Sequence, residues 1–164
     1  MADITIDNSV ATSMEARDYT QRHLVWKSPD VGYVFFMDLT GKFYFKKTED
    51  AGATWDASRT TIDSSGNGNN MSIWADWWTD GDSGELIHIT YNINSDEDLV
   101  HRSLDTSNDT LGAVVIIYGS GSVYGDNNNE RGCNTICKLK SGRLISLGRQ
   151  SQGRFYHFES DDNG

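Results

Sequence analysis

The stretch Thr48-Glu49-Asp50-Ala51-Gly52-Ala53-Thr54-Trp55 constrains the fold of this chain more than any other. It follows an aromatic segment, Phe43-Tyr44-Phe45-Lys46-Lys47, so it reads as a tight turn between two antiparallel strands. A short carboxylate such as Asp50 accepts hydrogen bonds from turn N–H groups, and Gly52 takes positive φ without a Cβ clash. Thr48 and Thr54 can tie the strand ends together through their hydroxyls. Trp55 supplies a large apolar plate for the space between sheets.

The pattern recurs in degenerate form. Ser103-Leu104-Asp105, followed by Thr106 to Leu111, carries one inserted residue and has Leu where Trp is expected. A third copy begins at Ser160-Asp161-Asp162-Asn163-Gly164. Asp50, Asp105 and Asp162 are 55 and 57 residues apart, a spacing that suits a repeated four-stranded sheet. Sixteen glycines against one proline fit many short strands joined by Gly/Asn/Asp turns.

Written as [Ser/Thr]-x-Asp-x-Gly-x-Thr-Trp, the first copy resembles the Asp-box, or bacterial neuraminidase repeat, of sialidase-like β-propellers. In that family the box is a structural turn on the periphery, away from the active site. The resemblance implies an all-β chain of β-propeller blades: three four-stranded Asp-box repeats, the third incomplete, forming half of a six-bladed ring. Self-association of two copies, or further blades, would close the ring; an open arc leaves raw sheet edges. Residues 1–21 are then an N-terminal strand or lead-in, and 22–164 the blades, about 22–62, 71–118 and 131–164. The structural box residues are Thr48, Asp50, Gly52, Thr54 and Trp55, then Ser103 and Asp105, then Ser160, Asp162 and Gly164.

Alternation and turn residues place the strands. In the first repeat they are His23–Trp26, Tyr33–Met37, Lys42–Lys47 and Thr54–Ile62. In the second they are Met71–Trp78, Leu86–Tyr91, Leu99–Ser103 and Leu111–Tyr118. In the third they are Thr135–Leu139, Arg143–Leu147 and Arg154–Glu159.

A formal net charge of −10 argues against nucleic acid or an anionic membrane as partner. No apolar run approaches the length of a membrane span. No secretory signal is visible, although the acidic, turn-rich composition suits a secreted or virion-surface module. Cys133 and Cys137, about 13 Å apart if extended, are beyond the roughly 7 Å reach of a disulfide and read as reduced.

Sialidases, as the resemblance implies, hold the substrate carboxylate with three arginines and use a Tyr–Glu pair and an Asp for chemistry. Their first arginine sits in an Arg-Ile-Pro motif; here Arg22-His23-Leu24 keeps only the arginine. Arg131 and Arg149 lie near strand ends of the third repeat, either solvated or facing the same axis. No complete catalytic set can be assembled from these residues.

The best local candidate for binding is Ile73-Trp74-Ala75-Asp76-Trp77-Trp78. On a strand, Trp74, Asp76 and Trp78 share one face. Tryptophan beside a carboxylate holds sugars by ring stacking and hydrogen bonding; filling the core between sheets is the alternative. The acidic loops Asp80–Glu85 and Gly125–Glu130 do not match calcium-loop spacing and read as turns, so no metal or cofactor is expected. His23, His88, His101 and His157 share no spacing and read as unrelated.

The expected role is a non-catalytic carbohydrate- or surface-binding propeller module, with Arg22, Trp74, Asp76 and Trp78 as ligand-facing residues and a glycan as the ligand. The rivals are an exo-sialidase-type glycoside hydrolase completed by other blades or a second chain, and a protein-binding repeat scaffold.

Overall fold

Alternating apolar side chains, interrupted by glycine and Asp/Asn turns, put twelve strands of the described residues into three antiparallel sheets. The computed structural model describes residues 4–7, 23–66, 68–93, 98–118, 134–149 and 155–162. Among them the architecture is all-β, with one 3-10 turn and no closed barrel or propeller ring. No helix there is long and apolar enough to cross a membrane. The chain divides into two compact units, Met1–Gly68 and Asn69–Gly164.

The first unit holds one four-stranded sheet: β1 (Leu24–Trp26), β2 (Gly32–Met37), β3 (Phe43–Thr48) and β4 (Thr60–Asp63), hydrogen-bonded in that order. Its register pairs Phe35 with Phe45 and Phe36 with Tyr44. On one face Tyr33 and Phe35 both lie against Phe45, at 6.1 and 6.0 Å between ring centroids. On the other, Phe36 stacks on Tyr44 at 6.0 Å, and the Arg59 guanidinium lies 3.9 Å from the Tyr44 ring. Large rings opposed across neighbouring strands stabilise a pleated sheet through both burial and ring geometry. Residues 4–7 form no strand; the Ile6 carbonyl accepts from the buried Lys46 ammonium at 2.8 Å.

The turn after β3 has the chemistry expected of it. Asp50 Oδ1 accepts from the Thr48 hydroxyl and the Thr54 N–H, both at 2.8 Å, and Oδ2 from the Thr54 hydroxyl at 2.7 Å. Those bonds from Thr54 hold the Asp50 carboxyl below its usual value. Gly52 sits at φ +84° and donates its N–H to Thr48 Oγ1. Trp55 is half-buried. Because Asp56 exchanges hydrogen bonds with Lys47, residues 54–59 remain a turn, and the fourth strand is shorter than alternation predicted.

The second unit holds two sheets. One contains β5 (Gly68–Ala75), β6 (Leu86–Ile93), β7 (Asp98–Asp105) and β8 (Thr110–Leu111), with β9 (Val115–Tyr118) also pairing with β7. The other contains β10 (Asn134–Lys138), β11 (Leu144–Arg149) and β12 (Phe155–Ser160). The predicted strand Leu111–Tyr118 is thus split in two, with Gly112 between the pieces donating its N–H to Ser103 O.

Each degenerate box follows the third strand of its sheet, as Asp50 does. Ser160 donates its hydroxyl to Asp162 Oδ1, matching the Thr48–Asp50 bond. At the second box Asp105 Oδ1 accepts the N–H and hydroxyl of Ser107, while Asn108 Oδ1 clasps the N–H and hydroxyl of Thr110. The inserted residue moves the clasp from the aspartate to the asparagine.

Polar side chains join the two sheets of this unit. Asn134 on β10 donates to Asn70 O and Asn92 Oδ1 and accepts from Thr90, and the Ile136 N–H reaches Ser72 Oγ. The four side chains that make these bonds, Asn134, Asn92, Thr90 and Ser72, are buried.

Candidate functional site

The aromatic–acidic stretch departs from its expected strand. β5 stops at Ala75, and Asp76–Trp78 form a 3-10 turn closed by the Thr79 N–H donating to Asp76 O at 2.9 Å. The turn breaks the two-residue alternation, so Asp76 does not share a solvent face with Trp74 and Trp78. Asp76 points inward, 2% exposed, while Trp74, Trp77 and Trp78 are each half-buried.

The tryptophans are held in place. Trp74 and Trp78 meet edge to face, 5.7 Å between centroids at 89°. Trp74 Nε1 donates to Thr79 Oγ1 at 3.0 Å, and that hydroxyl donates to the Lys138 carbonyl on β10 at 2.9 Å. Beside them, Lys140 and Asp80 form an exposed ion pair at 2.9 Å.

Asp76 is committed to the interior. Its Oδ1 accepts from Lys138 Nζ at 2.6 Å and from His88 Nε2 at 3.0 Å, and Oδ2 accepts the Leu86 N–H at 3.0 Å. Burial by itself would raise its pKa, but the bonds from His88 and Lys138 bring it down to about 2. Lys138 also pairs with Asp82 at 2.9 Å. Burial opposes its charge, yet the two carboxylates hold the ammonium above its ordinary value. Close approach here requires Gly84, where a Cβ would fall 2.1 Å from Asp76 Oδ2.

The network continues to a second histidine. His88 and His101 stack at 5.4 Å, with His88 Nδ1 3.2 Å from His101 Nε2. An ionised Asp76 has no proton to give, so His88 Nε2 carries the hydrogen between them. In the neutral pair His88 Nδ1 is then an acceptor, His101 Nε2 donates to it, and His101 Nδ1 holds a lone pair. Burial, reinforced by His88, lowers the pKa of His101 to about 4. Among the described residues no cluster of His, Cys, Asp or Glu is arranged to hold a metal ion; an ammonium already neutralises this carboxylate.

Of the predicted ligand-facing residues, Trp74 and Trp78 are brought together and Asp76 is withdrawn beneath them. Arg22 lies outside the described residues, as do Arg131, Cys133, Gly164 and the loop Gly125–Glu130, while Arg149 ends β11. Cys137 is a free, half-buried cysteine whose thiol burial pushes up. In the loop Asp80–Glu85, Asp80 and Asp82 are taken by Lys140 and Lys138.

His88, His101 and Lys138 escaped sequence reasoning. The register supplies the missing signal: His88 opposes Ser103 and His101 opposes Thr90, which puts the two histidines diagonally on one face of a hairpin. No family model and no curated protein matches the chain.

Proposed function

We propose that the chain is a non-catalytic carbohydrate-binding module built from sialidase-like propeller blades, and that Trp74 and Trp78 form its sugar-stacking surface. The observation carrying this reading is the edge-to-face pair of half-buried tryptophans, locked by Thr79 and flanked by the exposed Asp80–Lys140 pair. Fixed aromatic faces with charged groups at their margin stack on sugar rings and hydrogen-bond the hydroxyls around them.

The neighbouring acid supports binding without turnover. Asp76 is spent on Lys138 and His88 and is shielded from any ligand on the tryptophans, so it does not serve as general acid or base there. A net charge of −10 favours a neutral glycan over an anionic one. The blade reading is supported by the position of all three boxes, each after the third strand of its sheet. Among the described residues the third sheet has three strands where the first has four, so pairing along β12, by a second copy or a further segment, would complete it.

A glycan array combined with an aryl sialoside assay tests the reading. Retention of neutral glycans without sialoside hydrolysis is expected. Hydrolysis would replace it with the sialidase reading, and a blank array with the protein-binding scaffold.

A further inference from the structure

A second site lies apart from the tryptophans, at the far end of the Asp76–His88–His101 chain. Between β9 of one sheet and β11 and β12 of the other runs a cleft of about 700 Å³. Ile116, Ile117, Ile136, Leu144 and Phe158 supply apolar walls, and Tyr118 meets Phe158 at 5.7 Å. Cavities of roughly 300–1,000 Å³ that combine apolar walls with few polar groups are the usual form of small-molecule sites.

His101 lines this cleft and is 3% exposed. Its Nδ1 is buried and, among the described residues, has no hydrogen-bond partner, although Nε2 is engaged by His88. A buried polar atom without a partner carries a desolvation cost that a donor in the cleft would relieve. The neutral pair presents a lone pair at that nitrogen, so the missing group is a donor. The rim adds a charge preference: Glu159 and Asp161 share the Arg143 guanidinium, Glu159 also meets His157 Nε2 at 3.2 Å, and Asp162 lies beside them. Anions are disfavoured there.

We infer that the cleft between β9 and the β11–β12 edge binds a small, uncharged, largely apolar molecule through one hydroxyl donated to His101 Nδ1. The walls provide affinity and the histidine orientation. While His88 is uncharged, its bond to Asp76 sets the tautomer that makes the His101 nitrogen an acceptor.

The probe is 4-fluorophenol, with its methyl ether 4-fluoroanisole, one methylene larger and lacking the donor, as the comparison, each titrated at mildly alkaline pH and read by fluorine and nitrogen-15 NMR. Saturable binding of 4-fluorophenol is expected, with the His101 imidazole signals shifting and 4-fluoroanisole bound about tenfold more weakly, the worth of one hydrogen bond. Val115→Trp, at the position opposite His101 in the register and 37% exposed, puts a large ring into the cleft beside the histidine without touching the core and is expected to abolish binding. Equal affinity for the two probes, no saturable binding of 4-fluorophenol, or binding undisturbed by Val115→Trp would overturn the proposal.

Discussion

The sheet of the first unit and the paired sheets of the second bury their interiors in different chemistry. Around Phe45 the contacts are ring on ring, with Tyr33 and Phe35 on the same face. Between β5–β7 and β10 the contacts are amide, hydroxyl, imidazole, carboxylate and ammonium, down to Asp76 and Lys138. Apolar packing tolerates small shifts, because dispersion and burial are weakly directional. A buried ionic network does not, since each member depends on its partners' charge and position. The second unit therefore carries the larger buried ionic network, and its interior is the more specific.

The contrast can be broken most severely from the apolar side. Phe45→Ala is expected to cost about 4 kcal/mol by leaving a cavity beneath Tyr33 and Phe35. Hydrogen exchange should accelerate across β1–β4. Asp76→Ala should follow at about 3 kcal/mol, because Lys138 and His88 are left buried without their carboxylate, and its exchange signature should centre on β5, β6 and β10. If both variants loosened both units equally, the separation would fail.

Acid sharpens the same contrast. The folded pKa of His101 is depressed from 6.5 to about 4, so the unfolded chain takes up that proton first. Stability is complete above 6.5 and falls by about 3 kcal/mol as pH drops to about 4. Asp76, depressed from 3.8 to about 2, withdraws about 2 kcal/mol more in the next interval. His23 of the first unit, lowered by burial, adds a loss of the same sign, so denaturant melts of an Asp76→Asn variant, set against the wild type across this range, should isolate the share of the second unit's network.

Two smaller effects complete the series. Asp50→Ala removes the clasp on Thr54 and should speed exchange of the Thr54 amide while sparing both cores. Lys140→Ala should change stability by less than about 1 kcal/mol in the same melts, since its pair with Asp80 is exposed.

What the sequence disclosed follows the same division. The Asp50 clasp was legible because Thr48, Asp50, Gly52 and Thr54 act within one turn, and the rings of β2 and β3 because alternation marks them as strands. The ionic network was not, because Lys138 reaches Asp76 from a strand 62 residues away. Nothing local distinguishes a buried Asp-Trp-Trp turn from a strand continuing with exposed alternation. The two histidines become a pair only once the hairpin register is known.

The most direct measurement is a glycan array probed with the wild-type chain and with a folded Trp74→Ala/Trp78→Ala variant side by side. Retention of neutral glycans by the wild type and its loss in the variant is the expected result. Equal retention by both, or no retention by the wild type, would contradict the assignment of the tryptophan pair as the binding surface.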